Sequence, residues 1–532
     1  MLKNRMISGR LVKQKSTLQS NLFKLPFSAG VSFALLTCLG LFASADTGDF
    51  RSTSRRSDAL DSSMLAARTF MRLTPNGVMP DCKVQLNAVS VATSSSQSHL
   101  IRPSGNTLWM VDDKNAIADG VAIDANNVWG AWTLTGARLS IYPIKGNGTE
   151  AWHFSSFNSG NSGVAAAKGA DRLGLMESNA AGSDFRQHGF TSSSNGTPDW
   201  SFPYPVSDPN LPANSRKVAT SRDGSTIAAV VSDSITQNST LYVFEASTGA
   251  VRLSWTDPLR MNGVDLTDDG SIALVTQDNH AALVDTSTGN IVFSVNGSGA
   301  GNIFYRVSGD GQVFVVGGFS FDVYAFNGTT YIRVIHFSQA STWFGGACAI
   351  SRDGSTAGTF AGNLANNWLS GAVYLFDVGS GNMLGSYPVS GSGLYQGTPV
   401  GAGSNNDGSV VAFASWGTQF HDWPEVMVFN RDVQLIGQID FSGSAFSVDV
   451  SSDGRYVVGG SKAVHANQFG SGGRIELIQL PATPTPTPTA TPTPSPTPTA
   501  VPRATTTPRP RPTPAPRPSS LELSSDIALP PC

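Results

Sequence analysis

Aromatic, histidine and amide side chains recur together in the C-terminal half of this chain, and they are its strongest candidates for binding chemistry. They fall in five stretches between residues 343 and 469, each rich in Trp, Phe, Tyr, Asn or Gln. An aromatic face edged by amides can hold a sugar ring or a peptide, because apolar contact and hydrogen bonds act together. The candidate ligand-binding residues are Trp343, Trp368, Tyr395, Trp416, His421, Trp423, His465 and Asn467.

The same tryptophans have a second interpretation, in which each ring folds back over its own sheet and covers the end of the core. The sequence leaves both interpretations open. Beside His421, the carboxylates of Asp422 and Glu425 are predicted to be solvated loop residues rather than a catalytic pair.

Catalytic and metal-binding motifs are not found in the sequence. Gly- and Ser-rich stretches such as 390–393 lie in predicted loops, not at the strand-to-helix turn of a hydrolase nucleophile. The seven histidines are scattered, and the four cysteines include no Cys-x-x-Cys pair. We therefore expect no catalytic residue, no metal and no cofactor.

The candidate residues must be positioned by a repeated unit, which is clearest in residues 217–257. This stretch contains four short β-branched or aromatic runs, and two of the joins between them are Asp-Gly and Thr-Gly turns. Such turns favour strand reversal, so each copy is predicted to be a four-stranded antiparallel sheet.

Copies of this unit follow one another at steps of 41 to 54 residues, with weaker copies around Asp124 and Asp171. A period of about 40–50 residues with four strands is typical of a β-propeller. We expect an all-β propeller of eight blades, or seven if the Asp171 copy is an insertion. The turn residues with a predicted structural role are Asp223, Gly224, Asp269, Gly270, Asp310, Gly311, Asp353, Gly354, Asp407, Gly408, Asp453 and Gly454.

The pattern Val-Ala-x-Ser-x-Asp-Gly, followed by a strand ending in Asp or Glu, a Thr-Gly turn and an outer strand, resembles the YVTN/WD40-type repeats. It is also similar to the quinoprotein-type (PQQ-type) propellers. The resemblance covers residues 119–480 and implies the propeller architecture. The Trp-Asp pair of true WD40 repeats is absent from these copies.

The two ends of the chain differ in composition from the repeats. Residues 1–45 have a basic head, an apolar middle and a small-x-small end, which predicts a secretory signal peptide, with an uncleaved anchor as the alternative. Residues 46–118 are predicted to be a poorly ordered lead-in with one or two strands, one of them an isolated strand at 107–111. Residues 481–518 alternate Pro and Thr, as in an extended linker or stalk, and 519–532 form a C-terminal tail.

The charge bears on one class of ligand, and the cysteine count bears on possible disulfide pairing. A net charge of −3 and 14% charged residues do not indicate a nucleic-acid groove. If the signal is cleaved, Cys82, Cys348 and Cys532 remain; Cys348 is predicted to be a buried core residue, and the pairing of the three is open.

We therefore expect an exported, non-enzymatic propeller that acts as a binding or scaffold module at the cell surface or wall. A cell-wall or matrix polysaccharide or an extracellular protein is the expected partner, and carbohydrate binding through the aromatic residues is one form of the hypothesis. The alternatives are a cofactor-dependent oxidoreductase of quinoprotein type that uses the central channel, and a WD40-like hub for peptides. Carboxylates and amides gathered at one channel mouth favour the enzyme, whereas aromatic residues on one face favour binding.

Overall fold

The computed structural model describes residues 106–481, apart from 134–136, 157–159, 179–184, 206–217, 233–237, 259–260, 278–279, 297–303 and 341–342. The predicted signal peptide, Cys82, Cys532 and nearly all of the Pro/Thr-rich segment lie outside the described residues. Within them, no helix has the length and apolar character needed to cross a membrane.

The described residues form a ring of eight four-stranded antiparallel blades. Blades 1 to 4 are built from β2 Ile117–Ile123, β3 Asn127–Thr133, β4 Ala137–Pro143 and β5 Trp152–Ser156; β6 Gly160–Ala166, β7 Leu173–Ser178, β8 Phe185–Phe190 and β9 Trp200–Pro203; β10 Val218–Thr220, β11 Thr226–Ser232, β12 Ser239–Glu245 and β13 Val251–Asp257; and β14 Met261–Leu266, β15 Ile272–Gln277, β16 His280–Asp285 and β17 Ile291–Asn296. Blades 5 to 7 are built from β18 Phe304–Val307, β19 Val313–Gly317, β20 Phe321–Phe326 and β21 Tyr331–Phe337; β22 Trp343–Ile350, β23 Thr356–Asn363, β24 Ser370–Asp377 and β25 Met383–Ser390; and β26 Pro399–Ser404, β27 Val410–Ser415, β28 Val426–Asn430 and β29 Leu435–Ile439. Blade 8 consists of β30 Ala445–Val450, β31 Tyr456–Lys462, β32 Gly473–Gln479 and β1 Asn106–Asp113.

The pattern of burial within a blade follows the pattern of apolar residues. In blade 3 the middle strand β12 is buried at four consecutive residues, whereas the outer strand β13 alternates between half-buried and exposed. A continuous apolar run is typical of a strand covered on both faces. Each middle strand is covered in this way because a neighbouring blade lies on either side.

The hydrophobic core is divided into eight clusters, one between each pair of adjacent blades. Ala122 and Trp129 of blade 1 pack against Leu173 and Phe190 of blade 2, for example. The inner strands contact one another in sequence around the ring, and β30 contacts β2. Because each sheet buries its faces only against its neighbours, the ring must close for the first and last blades to be stable.

The strand β1 completes blade 8, and here the sequence-based expectation was wrong. The strand predicted at 107–111 is not an isolated part of a lead-in, since β1 pairs antiparallel with β32 as the outer strand of blade 8. The propeller therefore includes Asn106–Asp113, which precede the expected boundary at residue 119. Trp109 is buried against Tyr142 of blade 1, with ring centroids 5.5 Å apart, and its Nε1 donates to the Ile144 carbonyl at 3.3 Å. The last blade is thereby joined to the first.

Blade 2 settles the blade count. Its third and outer strands, β8 and β9, come from the Ser-, Gly- and Asn-rich region after Asp171, where the sequence shows no clear third strand. The ring consequently has the expected eight blades, and the alternative of seven is wrong.

The Asp-Gly turns have the geometry expected from their residue types. The carboxylate of Asp269 accepts the Ser271 N–H at 3.0 Å, and Gly270 has a φ of +67°. A Cβ on Gly270 would also lie 2.4 Å from the Thr226 side chain of the previous blade. Glycine is therefore required there both by the backbone conformation and by the close packing of blades.

Candidate functional site

The ring has two chemically different faces. The Asp-Gly and Thr-Gly turns join the first to the second strand and the third to the outer strand, so they share one face, the turn face. The connections between second and third strands, and those between blades, share the other, the loop face. Over blades 6 to 8 the loop face carries five connections that we call the loop cluster, namely residues 364–369, 391–398, 416–425, 440–444 and 463–472.

His465 is buried at the centre of the loop cluster and connects three of its loops. Its Nε2–H donates to the carbonyls of Gln396 at 3.1 Å and Gly417 at 3.3 Å. Its Nδ1 accepts the N–H of Asn467 at 3.1 Å. This set of partners suits the neutral imidazole, and burial lowers the pKa of His465 to about 4. His465 is thus a structural residue of the cluster.

Further hydrogen bonds tie the remaining loops together. Asn367 Nδ2 donates to the Leu394 carbonyl at 3.1 Å, and the Leu394 N–H donates to Gln419 Oε1 at 2.8 Å. Ser444 Oγ donates to the Trp416 carbonyl at 2.7 Å. The cluster is therefore held in one arrangement by bonds between blades.

The tryptophans of the predicted site are mostly not available to a ligand. Trp368, Trp416 and Trp423 are only 4% to 7% exposed, and Trp343 is half-buried against the core between blades 5 and 6. Trp423 belongs to the core between blades 6 and 7, where its Nε1 donates to Ser415 Oγ at 3.1 Å. Of the two interpretations that the sequence leaves open, the buried ring is the one observed for Trp368, Trp416 and Trp423. Trp423 covers the end of the apolar space between blades 6 and 7.

Tyr395, His465 and Asn467 of the predicted set are brought together. The Tyr395 ring stacks on His465 with centroids 4.8 Å apart, and its hydroxyl accepts from Gln468 Nε2 at 3.0 Å. Asn467 is exposed, and its Oδ1 accepts the Gln396 N–H at 3.2 Å. At this point of the loop cluster a half-exposed aromatic ring therefore lies beside exposed amides.

Three large apolar side chains of the loop cluster face solvent. Leu394 is 82% exposed, Phe420 is 62% exposed and Phe469 is 85% exposed. Phe420 and Phe469 lie within the stretches noted in the sequence, but Leu394 does not stand out there because a leucine next to a strand is typical of a core position. Exposed apolar side chains on a soluble protein mark an interaction surface when they occur together.

His421, Glu425 and Asp440 form the one group of three metal-ligating side chains found in the described part of the chain. Glu425 is completely buried, and its Oε1 accepts from His421 Nδ1 at 2.9 Å. Burial raises the pKa of Glu425 to about 7, partly offset by the bond to His421, and that bond raises the pKa of His421. The interpretation of Glu425 as a solvated loop residue was therefore wrong.

The central channel is spanned at the turn face by side chains of non-adjacent blades. The three pairs are Arg352 with Asp268 (2.6 Å), Lys168 with Asp449 (2.5 Å) and Arg222 with Asn406. The carboxylates of Asp268 and Asp449 are each paired with a cation, and these ion pairs join blades that are not adjacent in the ring.

A cavity of about 220 Å³ remains inside the channel, smaller than the ~300–1,000 Å³ usual for small-molecule sites. Asp119 lines this cavity, and burial raises its pKa to about 8. This carboxyl is therefore largely protonated at neutral pH.

Comparison with known proteins identifies the fold of the chain but not its family. No protein-family model matches the chain, and no curated protein matches it either. Among solved structures, it is similar to the computationally designed protein Ika8, with 14% identity and a TM-score of 0.49 over 70% of this chain and 100% of that one. It is also similar to BamB from Moraxella catarrhalis, with 14% identity and a TM-score of 0.46 over 70% of this chain and 99% of that one.

A third similar structure is the C-terminal WD40 domain of Sif2, with 12% identity and a TM-score of 0.51 over 71% of this chain and 99% of that one. At such identities a likeness shows the fold alone. The chain accordingly has the repeat β-propeller fold, as the turn and strand pattern predicted.

Proposed function

We propose that this protein is a non-enzymatic β-propeller interaction module that binds an extracellular protein partner through the loop cluster. The observation that carries the proposal is the exposure of Leu394, Phe420 and Phe469, between 62% and 85%, on loops that are bonded to one another. Apolar side chains surrounded by amides match the composition of a protein interface, which has an apolar centre and a polar rim.

The rigidity of the loop cluster supports this proposal. His465 and the amide side chains fix the loops before any partner arrives. A surface that is already ordered loses less conformational entropy on binding, so more of the contact energy contributes to affinity.

A polysaccharide is the second candidate ligand, and one specific feature favours it. The Tyr395 ring is half-exposed and is bordered by Asn467 and Gln468. This pairing of a flat ring with amides suits a sugar, but with the tryptophans buried it is a single ring rather than a row of them.

Export to the cell surface remains part of the proposal. It rests on the composition of residues 1–45, and the Pro/Thr-rich residues 481–518 would then act as a stalk.

The two ligand classes can be separated with the full-length protein on arrays of extracellular protein domains and of glycans. We expect a protein ligand whose binding falls at least about 10-fold in Leu394→Ser and little in Tyr395→Ser, since a central interface side chain contributes over 1 kcal/mol. Glycan binding that is lost in Tyr395→Ser would instead select the polysaccharide. Absence of binding to either array, with the protein folded, would count against a binding module.

A further inference from the structure

Three side chains with metal-ligating atoms meet at the edge of the loop cluster. His421 and Glu425 lie on the loop 416–425 of blade 7, and Asp440 lies on the connection from blade 7 to blade 8. One ligand atom from each side chain lies within 4.8 Å of the other two. The site thus draws its ligands from two loops that are brought together only by the fold.

The carboxylate of Glu425 is fixed in place by its surroundings. Its Oε2 accepts the N–H of Phe441, the residue after Asp440, at 2.7 Å. A Cβ on Gly417 would lie 2.3 Å from Glu425 Oε1, so only glycine leaves room for this oxygen. His421 has a φ of +52°, a conformation uncommon for a residue other than glycine, and it places the imidazole against Glu425.

The charges around His421 are unbalanced. Asp422, Glu425 and Asp440 supply three carboxylates, and within the described residues none of them forms an ion pair with a lysine or an arginine. His421 is the only partner among them that can carry a positive charge. A buried carboxylate without a permanent cation costs free energy, and a bound metal ion is one way in which proteins satisfy it.

We propose that His421, Glu425 and Asp440 form a binding site for a divalent transition-metal cation of the Zn²⁺ class. One imidazole nitrogen with carboxylate oxygens is a ligand set that suits Zn²⁺, whereas Ca²⁺ and Mg²⁺ prefer oxygen ligands alone. Two ligand atoms on a tetrahedral Zn²⁺ are separated by about 3.4 Å, given bonds of about 2.1 Å. The observed separation of His421 Nδ1 from Glu425 Oε1 is 2.9 Å, so the ion requires only a small opening of this pair.

The remaining ligand positions are accessible. Asp440 is exposed at the loop face, so solvent water can reach the site and complete the coordination. The ion would link loop 416–425 to loop 440–444 and so add to the rigidity of the loop cluster. The site stands on its own geometry and does not require the proposed partner.

Direct measurement of metal content and affinity tests the site in the full-length protein. After removal of metal with a chelator, the protein is titrated with ZnCl₂ and binding is followed by calorimetry, with elemental analysis of the bound metal. The wild type should bind one ion at this site. We expect Asp440→Asn and His421→Asn each to bind this ion at least 10-fold more weakly. Because Asp440 is exposed, its substitution keeps the fold, which circular dichroism verifies.

His336→Asn is the matched control. His336 pairs with Asp322 at 2.7 Å on the outer strand of blade 5, without a third ligand, so its loss should leave the affinity unchanged. The proposal is overturned if wild type and Asp440→Asn bind the same amount of Zn²⁺ with the same affinity, or if the wild type binds none. In either case His421 and Glu425 form an ordinary hydrogen-bonded pair.

Discussion

Acidification is expected to loosen the loop cluster through His465. The ordinary pKa of a histidine is about 6.5, and burial lowers that of His465 to about 4. Between these values the unfolded chain binds a proton that the folded protein does not. The stabilising contribution of neutral His465 is therefore complete above about pH 6.5 and is lost as the pH falls toward 4.

The difference of about 2.5 pKa units corresponds to about 3 kcal/mol at 1.36 kcal/mol per unit. The cause is physical, because the protonated ring would place a charge in a buried site and Nδ1 could no longer accept the Asn467 N–H. The cost is expected to appear locally, as opening of residues 391–398 and 463–472, since His465 bonds to both segments.

Two measurements check this prediction. Deuterium exchange at the imidazole C2, followed by mass spectrometry, gives the titration of His465 itself. After correction for the slowing of intrinsic amide exchange in acid, the protection of the two loop segments should fall between pH 7.5 and pH 5 in wild type and change much less in His465→Asn. Titration of His465 near pH 6.5, or loop exchange that responds to pH equally in both proteins, would refute the reasoning.

Three further predictions concern the ring. Trp109→Ala should destabilise the protein by about 3–5 kcal/mol and Trp109→Phe by clearly less, because the ring of Trp109 fills the space between the last and first blades. Urea unfolding of both variants measures the two losses of stability. Equal losses would contradict the prediction. Gly263→Ala should abolish or severely reduce soluble folded protein, since its Cβ would lie 1.5 Å from the Tyr305 hydroxyl; circular dichroism and melting temperature report the outcome. Asp449→Ala should cost about 1–3 kcal/mol, because it removes the partner of the half-buried Lys168. In Lys168→Met/Asp449→Leu the loss should be smaller, and a double-mutant cycle tests that coupling.

Local features of the chain were predictable from the sequence, because their cause is local. The turn at Asp269 and Gly270 is dictated by the hydrogen bond of the Asx turn and by the positive φ of glycine. The buried apolar runs of the blades follow from their alternation with such turns, and Cys348 is buried in its strand as expected. Repetition of this unit was enough to predict the propeller.

Features that depend on distant partners were not predictable in the same way. The strand β1 pairs with β32, more than 350 residues away, and nothing in its own residues indicates that partner. Similarly, the two oxygens of buried Glu425 accept hydrogen bonds from the Phe441 N–H and from His421, and only the fold brings Phe441 there.

The tryptophans show why the candidate site was only partly predictable. A single sequence places Trp416 and Trp423 in a loop, but it does not tell whether their rings point outward or close the core. The apolar residue that is exposed beside them, Leu394, has a type that usually indicates burial.

A matched pair of triple variants tests most directly whether the loop cluster is the surface that binds the partner. One variant carries Leu394→Ser, Phe420→Ser and Phe469→Ser, and the other carries Ile291→Ser, Val292→Ser and Ile332→Ser at outer-strand positions that are about half exposed. We predict that affinity for the partner found on the protein array falls at least about 100-fold in the first variant and stays within about 3-fold of wild type in the second. Equal affinities in the two folded variants would show that the loop cluster is not the binding surface.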